Sequence, residues 1–124
     1  MAARVPDASL IAAFVFGEDR AAEAESRLGS ARLCAPSLWR YELANVAWRK
    51  VQQHPRERDA AALGLALAMS LPVEDLDPDH AEVLELAIEH KLTAYDASYL
   101  WVARRLRAPL ATFDRRLAAA ASRL

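Results

Sequence analysis

The sequence predicts an α/β fold, a three-layer α/β/α arrangement around a short, mainly parallel central sheet. Three observations predict it. Four short runs, residues 2–6, 31–35, 71–76 and 109–113, are each followed by a longer segment of helical character. Strands that alternate with helices form parallel sheets, because each helix carries the chain back to the same end of the sheet. Acids with helix-capping character, Asp7, Asp77 and Asp114, follow three of those runs, where an extended segment gives way to a helix. A chain of 124 residues, finally, suits one domain over 1–124 with little room for a second.

The elements follow in order. AARVP, residues 2–6, is a first strand closed by Pro6, and the apolar run after Asp7 is a helix that ends at Gly17. Residues 18–28 are an exposed helix closed by Gly29, because glycine accepts the backbone of a helix C-terminus without steric cost. ARLCA, residues 31–35, is the second strand. Pro36 is expected to open the helix 36–53, since proline is tolerated in a first turn where its missing N–H has no partner to lose. After His54-Pro55, residues 57–70 read as an Ala/Leu-rich helix, and LPVEDL, 71–76, as the third strand. Asp77-Pro78 looks like an N-cap with proline at the first helical position, opening a helix to residue 90. Thr93 opens the next helix, and Thr93 with Asp96 three residues on has the form of a capping box. PLATF, 109–113, is the fourth strand, and Asp114 opens the last helix.

Composition narrows the function classes. With 54% hydrophobic and 27% charged residues the chain is neither disordered nor a membrane protein, and no window has the ~18 uninterrupted apolar residues of a span. The N-terminus lacks a signal-peptide pattern. One cysteine, Cys34, excludes an internal disulfide and points to a reducing cytoplasm, with Cys34 itself a small buried hydrophobe. A net charge of −1 means that any nucleic-acid contact needs a local basic face.

In an open parallel sheet, ligands bind beyond the carboxyl ends of the strands, so the strand-to-helix junctions are the places to search. Asp7 and Asp114 lie directly at such junctions. Asp96 lies one turn into its helix, and Glu42 lies near Leu38, Leu43 and Val46 on an apolar stripe. Each acid alone has a bland explanation: Asp7, Asp96 and Asp114 as helix caps, and Glu42 as a half-buried acid paired with Arg49 seven residues on. Together they are harder to dismiss. Carboxylates ~5 Å apart repel by roughly 3 kcal/mol per pair at an effective dielectric of 20, so a cluster must take up protons or hold a cation. Hard divalent ions prefer oxygen ligands, and Mg²⁺ takes a few carboxylates while keeping waters for phosphate chemistry.

Asp7-Ala8-Ser9 after a short strand, the helical Glu42-Leu43-Ala44-Asn45, the run Tyr95 to Leu100 around Asp96, and Thr112-Phe113-Asp114 occur in that order. Their combination resembles the PIN-domain ribonucleases of the VapC toxin type, over nearly the whole chain. The resemblance implies a PIN-like fold and an endoribonuclease dependent on Mg²⁺ or Mn²⁺. It also implies a cognate antitoxin that blocks the acidic cleft, and assembly as a homodimer. It implies that Asp7, Glu42, Asp96 and Asp114 are the catalytic, metal-holding acids, supported by Ser9, Asn45 and Thr112. Members of that family usually continue into one more short strand beyond the position of Leu124.

Two other classes stay open: a non-catalytic binding module whose acids only cap helices, and a metal-dependent phosphatase acting on small molecules. DLDPD, residues 75–79, imitates a calcium loop but has His80 where glycine and Leu86 where glutamate are needed. His54, His80 and His90 have no zinc spacing with Cys34. Arg104, Arg105 and Arg107 suit a helix C-terminus, with contact to RNA phosphates as the alternative, and Trp39, Trp48 and Trp101 suit a core or an interface.

Overall fold

The computed structural model describes residues 2–124. Strand β1 (Ala3–Pro6) leads into α1 (Ala8–Val15) and α2 (Ala21–Leu28); β2 (Arg32–Pro36) leads into α3 (Leu38–Gln53). A 3-10 turn (Pro55–Glu57) connects to α4 (Arg58–Ser70), followed by β3 (Val73–Leu76), α5 (His80–His90), α6 (Ala94–Leu106), β4 (Leu110–Ala111) and α7 (Arg115–Ser122).

The capping chemistry sets most of the boundaries. The Asp7 carboxylate accepts the Leu10 N–H at 3.1 Å, the Thr93 hydroxyl accepts the Asp96 N–H at 3.1 Å, and Asp114 accepts the Leu117 N–H at 2.9 Å. Gly17, with φ of 63°, turns the chain out of α1 as expected from its freedom in the left-handed region. Three expectations are corrected. Pro36 ends β2 instead of opening α3, because it still pairs with Leu76 of β3. Asp79, not Asp77, caps α5 through the Glu82 N–H at 3.0 Å, while Asp77 faces the Ser37 hydroxyl at 3.3 Å. Strand β4 is two residues long, because the chain from Thr112 onward turns towards Asp7.

All three strand pairings are parallel, in the order β3-β2-β1-β4, with Ala3 opposite Arg32, Leu33 opposite Val73 and Val5 opposite Leu110. From β1 the chain steps outward to β2 and β3, then returns to place β4 on the other side of β1. The carboxyl ends of β1 and β4 are therefore a topological switch point, where diverging connections leave a crevice. Helices α1 to α4 pack on one another, while α6 lies on β1, β2 and β4 with α5 and α7 against it. The main core joins both sides through Val5, Leu10, Ile11, Trp39, Leu43 and Tyr99, all buried. Val83, Leu86, Leu100 and Ala120 form a smaller core beneath α5, α6 and α7. Among the described residues no helix is long and apolar enough to cross a membrane.

Asp75 ties the second layer to the sheet: one oxygen accepts the Trp39 indole N–H at 2.7 Å and the other the Arg40 Nε–H at 2.8 Å. The three acids of the calcium-like DLDPD run thus do three separate structural jobs. Cys34 is buried, and burial pushes its thiol pKa up, in keeping with an inert core residue.

Candidate active site

The switch point is occupied by Asp7. Only 6% of its surface is exposed, and its two oxygens are held separately. Oδ1 accepts the Ser9 hydroxyl at 2.7 Å and the Leu10 N–H, while Oδ2 accepts the Thr112 hydroxyl. The Thr112 oxygen in turn accepts the Asp114 N–H at 2.9 Å, and the Asp7 N–H donates to the Ala111 carbonyl at 3.0 Å. The turn after β4 is thereby locked to the end of β1. Arg27 braces it from outside, donating to the Thr112 carbonyl at 2.9 Å with its guanidinium over the Phe113 ring. Asp7 still has a raised pKa: burial dominates, the three donors oppose it, and the nearby Asp114 charge adds to the rise.

Glu42 reaches the same crevice from α3. It is half-buried, with Leu43 and Ala47 turned fully inward beside it. Its partner is the hydroxyl of Tyr99 on α6, which donates to Oε1 at 2.6 Å, and not Arg49. Burial raises the Glu42 pKa against that hydrogen bond, and the Asp96 and Asp7 charges raise it further. The same environment pushes the Tyr99 phenol up, so it stays a donor. Asp96, on the first turn of α6, is raised mainly by burial, then by Asp114 and Asp7, with the Thr93 cap and Arg116 opposing.

Four acids from four separate elements therefore act on one another at one mouth of the sheet. In this arrangement no three His, Cys, Asp or Glu among the described residues are gathered tightly enough to hold an ion as they stand. The donors at this mouth are carboxylates and hydroxyls, the oxygen chemistry that hard divalent cations take.

Of the supporting positions, Ser9 and Thr112 both donate to Asp7. Asn45 is exposed and shares with Glu42 the wall of a groove at the crevice. Tyr99 is the residue that the sequence reading missed. Its signal was present, since it lies three residues after Asp96 and so on the same helical face. The bracing by Arg27 had no local signal, because its target lies 85 residues away.

Residues 4–122 match the family described as PIN domain. The chain is 34% identical over 119 residues to Ribonuclease VapC3 of Pyrobaculum aerophilum, covering 92% of this chain and 91% of that protein. It is 38% identical over 79 residues to Exonuclease VapC9 of the same organism, covering 64% of this chain and 59% of that one. The crystal structure of PAE2754 from Pyrobaculum aerophilum matches with a TM-score of 0.78 and 30% identity, over 96% of this chain and 84% of that one.

Proposed function

This chain belongs to the VapC-type PIN-domain family, and from that premise we propose that it is a metal-dependent endoribonuclease, the toxin of a toxin–antitoxin pair. The observation that carries the reading is Asp7: a buried carboxylate at the sheet's switch point, with the charges of Glu42, Asp96 and Asp114 around it. Helix capping explains Asp7 and Asp114 singly. It does not explain Glu42, which lies within α3 and caps nothing.

Asp7, Glu42 and Asp96 would hold the ion, with Asp114 completing the site, and Mg²⁺ or Mn²⁺ would supply Lewis-acid stabilisation of the phosphate charge and of a water's deprotonation there. Ser9 and Thr112 fix the Asp7 carboxylate so that its orientation is set before an ion arrives. Tyr99 does the same for Glu42. Burial first, and the neighbouring carboxylate charges second, raise the pKa of Asp7, Glu42 and Asp96, so a cation nearby would favour their ionised forms. No side-chain nucleophile is required.

The family likeness supports the remaining features of the proposal. The whole of residues 1–124 acts as one catalytic domain in the cytoplasm, an antitoxin protein covers the acidic cleft, and two copies assemble as a homodimer. A panel of structured RNAs incubated with Mg²⁺, Mn²⁺ or chelator, beside the Asp96→Asn protein, tests the activity. Cleavage within the strand that needs the ion and the Asp96 carboxylate supports the reading. Hydrolysis of a generic phosphomonoester with no RNA cleavage would point to the phosphatase instead, and no ion dependence of thermal stability to the binding module.

A further inference from the structure

One groove of about 580 Å³ opens directly from the acidic crevice, and its walls carry side chains that the metal chemistry does not use. Tyr41 on α3 and Tyr95 on α6 border it, and both rings lie in water, 80% and 68% exposed. Arg49 borders it as well, and also borders the adjoining groove that runs on past Ser9 to Arg20 and Phe113. Arg49 follows Glu42 by seven residues, two helical turns and about 10.5 Å along the same face of α3.

The charge distribution singles out Arg49. Among the described residues it takes part in none of the ion pairs. Arg20 beside it is held by Glu23 at 3.0 Å and lies over the Phe113 ring, and Lys50 faces Glu18 at 3.7 Å. The crevice itself is acidic and repels a polyanion. A free guanidinium two turns away, with exposed aromatic faces bordering the same groove, is the pattern of a single-strand track: rings for bases and a cation for the backbone. A basic peptide seated in the same groove would meet Arg49 as a like charge.

We propose that this groove holds an unpaired nucleotide beside the scissile phosphate, with Tyr41 and Tyr95 stacking on its base and Arg49 pairing with the next phosphate along. The inference rests on the nuclease reading and deepens it by naming the residues that position the substrate. A base inside a duplex has both faces covered by its neighbours, so a tyrosine reaches it only in a single-stranded segment or loop. Arg49, Tyr41 and Tyr95 are positioning residues, and the carboxylates remain the reacting site.

The test uses a short single-stranded oligoribonucleotide of randomised sequence, end-labelled and carrying one 2-aminopurine, read by anisotropy and by 2-aminopurine emission. Binding is measured on the Asp96→Asn protein, and cleavage by the unaltered protein with Mn²⁺ is measured in parallel. Adding Arg49→Ala is expected to weaken binding several-fold and to flatten the slope of log affinity against log salt by about 0.7, with Arg49→Lys restoring the slope. Adding Tyr41→Ala or Tyr95→Ala is expected to weaken binding about tenfold and restore 2-aminopurine emission, leaving the salt slope unchanged. The same strand annealed to its complement is expected to bind more weakly. Cleavage by the unaltered protein, combined with variants that bind within about twofold of the Asp96→Asn parent, overturns this inference alone and leaves the groove to a protein partner. Equal binding of the duplex overturns it too. Absence of both cleavage and binding overturns the nuclease reading, and the inference with it.

Discussion

The Tyr99 hydroxyl donates to Glu42 Oε1 at 2.6 Å, linking α6 to α3 across the carboxyl end of the sheet. Tyr99 is 1% exposed, so the bond is made at the boundary of core and crevice, where an unsatisfied carboxylate oxygen is costly. Tyr99→Phe keeps the ring and removes only the donor. It is expected to lower stability at neutral pH by about 1.5–3 kcal/mol, as for a lost hydrogen bond to a charged group, and to weaken Mn²⁺ binding. Urea unfolding and a calorimetric Mn²⁺ titration read the two effects, and unchanged values in both would mean that the phenol does not position Glu42.

The raised pKa of Glu42 has a signed consequence for stability. A group whose folded pKa lies above its unfolded value, here above the ordinary 4.5, destabilises the fold once ionised. Its favourable contribution is complete below the unfolded pKa and is lost as pH rises through the folded one. In chelator, Glu42→Gln is therefore expected to raise the neutral-pH Tm relative to the unaltered protein. That advantage is expected to disappear on acidification to the ordinary carboxylate range. A variant whose Tm difference stays constant over this window would contradict the assigned burial and repulsion.

Thr112 is a relay, accepting the Asp114 N–H and donating to Asp7. Thr112→Val has nearly the same shape but leaves both groups without their partner, at a cost of about 2–3 kcal/mol. Thr112→Ser keeps the hydroxyl and is expected to retain most of the stability and activity. Equal behaviour of the two variants by denaturation and RNA cleavage would rule out the relay.

Away from the site, Gly64 marks a close approach of α4 to α1. A methyl group built there lies 2.6 Å from Phe16 Cε1 and 3.2 Å from the Val15 carbonyl oxygen. Gly64→Ala gains helix propensity of about 1 kcal/mol but is expected to lose more through overpacking, for a net loss of about 1 kcal/mol. A higher Tm for the alanine protein would show that Phe16 swings aside without cost.

Much of this was legible because capping is local. Asp7, Thr93 and Asp114 announced their helices by chemistry that acts over three residues. The α/β alternation likewise rests on short-range pattern, and it led to the correct class. Misreadings arose where the deciding partner is distant. Pro36 looked like a helix opener, yet its pairing with Leu76 keeps it in the sheet. Asp77 and Asp79 are both sound caps next to Pro78, and contact of Asp77 with Ser37, 40 residues away, decides between them. Glu42 was correctly singled out as an acid on an apolar stripe, but Arg49 was the wrong partner because Tyr99 lies 57 residues further along. The order of the parallel strands, which sets the end of β1 beside that of β4 and so Asp7 near Thr112 and Asp114, is not legible locally because those residues lie more than 100 positions apart.

Carboxylates from four elements are proposed to hold one divalent cation in common. Calorimetric titration of Mn²⁺ into the unaltered protein and into Asp7→Asn, Glu42→Gln, Asp96→Asn and Asp114→Asn tests it most directly. Saturable binding by the unaltered protein is expected, weakened about tenfold or more by each single substitution at Asp7, Glu42 or Asp96 and less by that at Asp114. No binding, or one affinity shared by all five proteins, would contradict it.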